Sequence, residues 1–532
     1  MYDQQAVWVG SSGDKHCTLR LKQANRHGLI AGATGTGKTV TLKVMAESFS
    51  DAGVPVFLAD VKGDLAGMCR PGEDSADMQA RIARFGLQEA GFRYRAYPTE
   101  FWDIFGKQGL PLRTTVSEFG PLLFARLLDL NKIQSDLLEI IFRIADEEGL
   151  LLLDMKDLKS MVRYVEENAD AYREQYGNIG KSSTGAILRA LVALEGKGGA
   201  QFFGEPALQI SDWMRVDADG RGYVNILDST SLIQDPTIYS TFMLWMLNEL
   251  FTELPEAGDL EKPKMVFFFD EAHLLFDNAP KTLLDKIEQV VKLIRSKGVG
   301  VYFITQNPSD IPGGVLTQLG NKVQHALRAY TPAEQKGVKA AAESFRKNPA
   351  FDTATALQEL KTAEALVSFL DEGGAPEEVQ IASILPPQSK FGALDDITRQ
   401  AAILASDLRD KYAEEVDRES AYELLLQRVD EQAAAAAKAK EEAEAEKQAA
   451  KEAAAAAKQA EKEAVAAARE EKKKAAQQKR IFASIGGSVT GTIGREVGKQ
   501  LGKSAGGSFG KQLGGNVGAS LGRGILKTLL KF

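Results

Sequence analysis

The apolar positions of this chain fall into short unbroken runs separated by longer amphipathic stretches. Residues 29–31, 54–60, 224–227, 265–269 and 300–305 are nearly all hydrophobic. Apolar runs this short, without alternation, predict strands buried on both faces, as in a parallel sheet covered by helices. Between them the spacing turns helical: 40–49 follows the first run, 104–215 separates the second from the third, and 283–294 precedes the fifth. The pattern predicts an α/β fold with a mainly parallel sheet and a helical subdomain inserted at about 104–215. The most apolar helical stretch, 242–251, is interrupted by Asn248 and Glu249. It falls short of the about 20 residues that a bilayer span requires and is expected in the core.

From about 395 the pattern dissolves. Residues 431–480 hold 22 alanines among Glu and Lys, with neither Gly nor Pro. That composition predicts a long solvated helix, supported by Glu–Lys pairs four residues apart. Its apolar positions are nearly all alanine, so a strong coiled-coil seam is missing; a weak coiled coil or an oligomerisation element stays open. In the final segment Gly498, Gly502, Gly506, Gly510, Gly514, Gly518 and Gly522 recur every fourth residue, each after an apolar residue. A period of four keeps glycine on one slowly drifting helical stripe. Seven Lys/Arg stand against one acid, Glu496, over 481–532. Such a segment packs on itself, lies on an anionic membrane surface, or binds DNA; a flexible tail is the plain alternative. The expected division is 1–395 motor, 396–480 long helix and 481–532 basic glycine-repeat tail.

Composition adds limits. A chain of 532 residues exceeds one ordinary core. The net charge of −8 argues against a surface coated throughout by nucleic acid, though not against a local basic face. Two cysteines, Cys17 and Cys69, and no CxxC exclude a disulfide scaffold and fit a reducing cytoplasm. The four histidines show no metal-ligand spacing. The N-terminus lacks a basic start followed by an apolar run. A cytoplasmic protein is expected, with peripheral membrane contact through the tail left open.

The chemistry begins at Gly32-Ala33-Thr34-Gly35-Thr36-Gly37-Lys38-Thr39, which meets GxxxxGK[ST] in full between a strand and a helix. Its glycines let backbone N–H groups turn toward phosphates, and the following helix adds its positive end. Lys38 is expected on the β- and γ-phosphates and the Thr39 hydroxyl on Mg²⁺, which makes Mg-ATP the expected ligand. Asp270 and Glu271 end the apolar run 265–269. Carboxylates at the C-terminal end of a strand lie where α/β sheets bind ligands: Asp270 is expected in the Mg²⁺ shell and Glu271 beside the attacking water. Gln306 ends the next run and could sense the γ-phosphate, or simply begin the turn before Pro308. Arg295 follows the amphipathic helix and is a candidate arginine finger, or a solvated helix-end cation; Arg328 is a second candidate. Asp60 and Asp64 end the second run, either near the nucleotide or as acidic caps of a turn.

Taken together, these segments resemble the HerA/FtsK superfamily of DNA-pumping motors. The resemblance rests on Asn25 to Thr39, on Phe269-Asp270-Glu271-Ala272-His273, on Ile294 to Gly300 and on Thr305-Gln306-Asn307-Pro308-Ser309, and it is nearest to the bacterial HerA-helicase-like group. It implies a RecA-like P-loop core, a homo-hexameric ring with nucleotide between subunits, and translocation on double-stranded DNA. It further implies Lys38 and Thr39 on phosphate and Mg²⁺, Asp270 on Mg²⁺, Glu271 as catalytic base, Gln306 as sensor and Arg295 as a finger acting in trans. Only 31 residues precede the glycine loop, too few for the β-barrel of archaeal HerA, so the nuclease partner and the substrate stay open. A membrane-associated assembly or secretion ATPase acting on protein is the other expectation, carried by the tail.

Overall fold

The computed structural model describes residues 2–3, 5–277 and 281–485; the glycine repeat from 498 to 522 lies outside them. Among the described residues thirteen strands join in one sheet: β1 (Tyr2–Asp3), β2 (Ala6–Ser12), β3 (Lys15–Arg20), β4 (Gly28–Ala31), β5 (Val56–Asp60), β6 (Thr99–Asp103), β7 (Leu110–Pro111), β8 (Val224–Asp228), β9 (Met265–Phe269), β10 (Val299–Thr305), β11 (Asn321–His325), β12 (Glu364–Ser368) and β13 (Gln380–Ile384). Their order across the sheet is β1-β2-β13-β12-β11-β4-β10-β9-β5-β8-β6-β7, with β3 also paired to β2. From β11 to β7 every neighbouring pair is parallel. From β11 through β12, β13 and β2 the pairing is antiparallel.

The five apolar runs become β4, β10, β9, β5 and β8, a contiguous block at the centre of the sheet. Their lack of alternation has a simple cause. Along β9, Met265, Phe267 and Phe269 enter one core while Val266 and Phe268 enter the other. β5 and β10 divide in the same way, so both faces must be apolar. Among the flanking strands, β11 and β13 carry no such run. β11 reads Asn-Lys-Val-Gln-His and β13 Gln-Ile-Ala-Ser-Ile, which explains why hydrophobicity alone did not announce them.

On one face lies the helix Lys38–Asp51, which buries Leu42, Met45, Ala46 and Phe49 against the sheet. Glu47 of this helix, fully buried, accepts hydrogen bonds from the backbone of Gln388 and Ser389 and from the Ser389 hydroxyl. These bonds fasten the helix to the segment that follows β13. On the other face lie Pro236–Glu253 and Lys281–Ile294. Behind them stand helices Val116–Leu127, Lys132–Glu147, Met155–Glu167 and Lys181–Gly196. Capping boxes at Thr115/Glu118, Asn131/Gln134 and Asp154/Asp157 start the first three. The apolar side chains of these helices share one continuous core with the sheet.

The packed body continues past 395 to Asp430, and a second unit begins at Glu431. Helix Asp396–Leu404 belongs to the first, where Arg399 pairs with Asp228 at 3.2 Å. The helix Ala421–Ile485 runs through the boundary, and its described side chains from 431 onward are exposed, as an alanine-rich solvated helix requires. Among the described residues no helix is long and apolar enough to cross a membrane.

Phe267 sits at the centre of the sheet, fully buried and stacked on Phe57 with ring centroids 5.2 Å apart. Phe267→Ala is expected to lower unfolding stability by roughly 3–5 kcal/mol, read by denaturant titration. A loss below about 1 kcal/mol would contradict this account of the core.

Candidate functional site

At Ala31 the chain leaves β4 and turns through the glycine loop. Two glycines are required by close approach. A Cβ at Gly32 would stand 2.5 Å from the Cβ of His325. Gly37, at φ +114°, would bring one within 3.2 Å of Ala363. Neighbouring strands clamp the loop: Gly32 N–H donates to the Thr305 carbonyl (3.3 Å), Ala33 N–H to Ala326 (2.9 Å), and Ala363 N–H to Thr36 (3.0 Å). The Thr36 hydroxyl closes the turn on the Ala33 carbonyl at 2.7 Å. Thr34 and Gly35 stand exposed at its crest.

Lys38 begins the helix and folds back over the loop, donating to the carbonyls of Gly32 (2.6 Å) and Ala33 (3.1 Å). Burial, and then the nearby Lys62, hold its pKa below the ordinary lysine value, against the pull of Glu271 and Asp270. Thr39 is in the first turn, partly exposed.

The acidic pair lies one strand away. β4 pairs with β10 (Ala31 opposite Thr305), and β10 pairs with β9 (Phe303 opposite Phe269). The loop, Gln306 and Asp270–Glu271 therefore leave the sheet along one edge. Tyr239 donates its hydroxyl to the Asp270 carbonyl at 2.5 Å, and Glu271 N–H donates to Asp270 Oδ1 at 2.9 Å. Loss of hydration, then the adjacent Glu271 carboxylate, push the Asp270 pKa up to about 7. Glu271 adopts φ +47°, a conformation that costs a non-glycine residue on the order of 1–3 kcal/mol. Its Oε2 lies 3.4 Å from His273 Nδ1 without hydrogen-bond geometry, and among the described residues neither atom has another partner. The carboxylate thus retains accepting capacity. Gln306 is exposed at the end of β10. The turn behind it is fixed by Thr305 donating to Asp310 (3.1 Å) and by the Asn307–Asp310 capping box.

The remaining candidates separate. Asp60 proves to be a turn cap, its carboxylate accepting from the backbone N–H of Gly63, Asp64 and Leu65. That turn presents the exposed Lys62, near enough to influence both Lys38 and Asp270. Arg295 precedes β10, at the opposite edge of the sheet from the loop, its carbonyl 3.5 Å from the Asn25 amide. Seven residues of strand, about 20 Å, separate that edge from Gln306, so Arg295 does not meet the loop of its own chain. Arg328 follows β11 on the loop's edge, holding the carbonyls of Gln358 and of Leu360 (3.3 Å). Tyr239, Lys62 and His325 escaped the sequence reading. Nothing in their spacing sets them apart, because each is brought to the site by a different strand or helix.

The raised pKa of Asp270 has a consequence for stability. An unfolded aspartate titrates near about 4, so the folded chain holds this proton more tightly than the unfolded one. Ionising Asp270 therefore subtracts stability as pH rises from about 4 toward about 7, and the loss is complete above that. Without nucleotide or Mg²⁺, Asp270→Asn is expected to melt above the wild type at pH 8, with the gap narrowing toward pH 5 in calorimetry. An equal gap at both pH values would refute the assignment.

The sequence family described as Helicase HerA-like C-terminal matches residues 6–513. The DNA double-strand break repair helicase HerA of Sulfolobus acidocaldarius is 21% identical over 368 residues, covering 66% of this chain and 63% of that protein. Its namesake from Sulfurisphaera tokodaii is 22% identical over 386 residues, covering 69% and 67%. The chain thus spans less than two thirds of the first relative. Among solved structures, VirB4 of Thermoanaerobacter pseudethanolicus aligns with a TM-score of 0.47 at 17% identity, covering 72% of this chain and 97% of that one. The family match takes in strands β2 to β13, the glycine loop and the acidic pair: the chain belongs to the HerA-like C-terminal helicase family.

Proposed function

We propose that this chain is an ATP-hydrolysing motor that works as a homo-oligomeric ring, a hexamer by family resemblance, and moves double-stranded DNA. One observation carries the ATPase reading: Lys38, Asp270, Glu271 and Gln306 leave a single edge of the sheet, with only β10 between the loop and the acidic pair. The loop N–H groups and Lys38 would hold the phosphates. The Thr39 hydroxyl and the Asp270 carboxylate are hard oxygen donors, suited to Mg²⁺. Among the described residues no cluster of three or more His, Cys, Asp or Glu could hold a metal alone; Mg²⁺ needs none, since phosphates and water complete its shell. When bound, the ion would neutralise charge on the β- and γ-phosphates. The free accepting capacity of Glu271 fits it to orient and deprotonate water, and Gln306 would bond that water or the γ-phosphate.

Arg295 supports the ring. At the far edge it has no use for its own nucleotide, whereas a neighbouring subunit's loop could meet it. The DNA reading comes from the family and from HerA relatives named as double-strand break repair helicases.

Two experiments follow. ATP turnover of the full chain is expected to rise with double-stranded DNA, and the stimulation to fall steeply with salt, while Glu271→Gln binds ATP but turns over roughly a hundredfold slower. A rate indifferent to nucleic acid would remove DNA as the substrate. Second, Lys38→Ala and Arg295→Ala chains, each inactive alone, are expected to recover part of the activity when mixed, because intact loops then meet intact fingers. If Arg328→Ala complements Lys38→Ala and Arg295→Ala does not, the finger is Arg328.

A further inference from the structure

We propose that His325 is a positioning residue for the glycine loop, setting the shape of its floor by joining the helix Lys38–Asp51 to β12 through the two nitrogens of one ring. The inference rests on the loop being a nucleotide site, as proposed above.

β11 runs parallel to β4 with Gln324 opposite Ala31, so His325 lies level with the first glycine of the loop. Its Nδ1 is 3.0 Å from the Glu364 carbonyl. A carbonyl only accepts, so Nδ1 carries the proton. Burial pushes the ring's pKa down to about 4, and the neutral ring therefore has a lone pair on Nε2. The Thr41 hydroxyl stands 2.8 Å away and donates to it. His325 and Thr41 are both fully buried. The residue packs against both ends of the loop: its Cβ stands 2.5 Å from where a Cβ at Gly32 would be, and its ring Cε1 3.3 Å from one at Gly37. Thr41 lies one turn into the helix whose first residues are Lys38 and Thr39. The residue directly after β11, Ala326, accepts from Ala33 N–H, and Arg328 stands three residues beyond His325.

A loop that binds phosphate through backbone N–H groups gains affinity when those groups are held in place before the ligand arrives. A neutral ring that donates on one side and accepts on the other can do this. Asparagine can keep the donor in the place of Nδ1 but is too short to put an acceptor at the position of Nε2, and an apolar residue offers neither. Because the loop contacts phosphate in ground and transition states alike, the effect belongs in KM rather than kcat.

The test uses the full chain and measures Kd for a fluorescent ATP analogue with Mg²⁺, KM and kcat, and the melting midpoint without nucleotide. Thr41→Val and His325→Asn are each expected to weaken nucleotide binding roughly five- to twentyfold, with kcat changed less than about twofold. The double variant should be no weaker than the worse single one, since both break the same bond. Thr41→Ser keeps the hydroxyl and should restore wild-type affinity. Unchanged Kd in both single variants, or additive losses in the double, overturns the proposal, whatever the melting midpoint does. If His325→Asn does not fold, Thr41→Val against Thr41→Ser decides: weakening only in valine sustains the proposal, and equal affinity overturns it. A wild type that binds Mg-ATP without hydrolysing it would overturn the motor reading and leave the affinity comparison standing. A wild type that binds no nucleotide overturns both.

Discussion

The parallel ladder joining β4, β10 and β9 is the constraint on which the rest of this site depends. Its register places Ala31 opposite Thr305 and Phe303 opposite Phe269, so the chain emerges along one edge at the glycine loop, at Gln306 and at Asp270. What fixes the register is burial on both faces. A slip of one residue would exchange Phe267 and Phe269 with Phe268 between two differently packed cores. The stability of the core and the geometry of the site are therefore the same property seen from two distances.

The edge so formed concentrates unfavourable terms. A backbone angle of φ +47° at Glu271, a carboxyl at Asp270 pushed up to about 7, and a lysine ammonium turned onto loop carbonyls all lie within it. Each is a cost the surrounding sheet must hold in place. The last two would also be eased by a phosphate-bound cation, which supplies charge for the carboxylate and phosphate oxygens for Lys38. That matching of local frustration to one kind of ligand is a stronger argument for the site than any single residue in it.

Arg295 and Arg328 illustrate how far topology decides chemistry. Both are cations close in sequence to strand ends, yet one precedes β10 and the other follows β11. In a parallel sheet those positions are opposite edges. One arginine is thereby excluded from its own loop and the other stands beside it.

The sequence by itself determined the five central strands, because apolar runs too short to make a buried helix fit a doubly covered sheet. It also determined the glycine loop and the acidic pair, because their chemistry is local: the loop's turn and the carboxylates' adjacency are written in consecutive residues. Tertiary structure alone decided the rest. The antiparallel flank from β12 to β2 mixes polar and apolar residues and gains its form only by pairing. The turn at Asp60 could be told from a ligand only by the N–H groups its carboxylate meets. Tyr239, Lys62 and His325 reach the site from separate elements, and no spacing along a chain encodes a contact between residues 284 positions apart such as Thr41 and His325. Local chemistry was legible; the alignment of strands that turns it into a site was not, because register is a property of pairs.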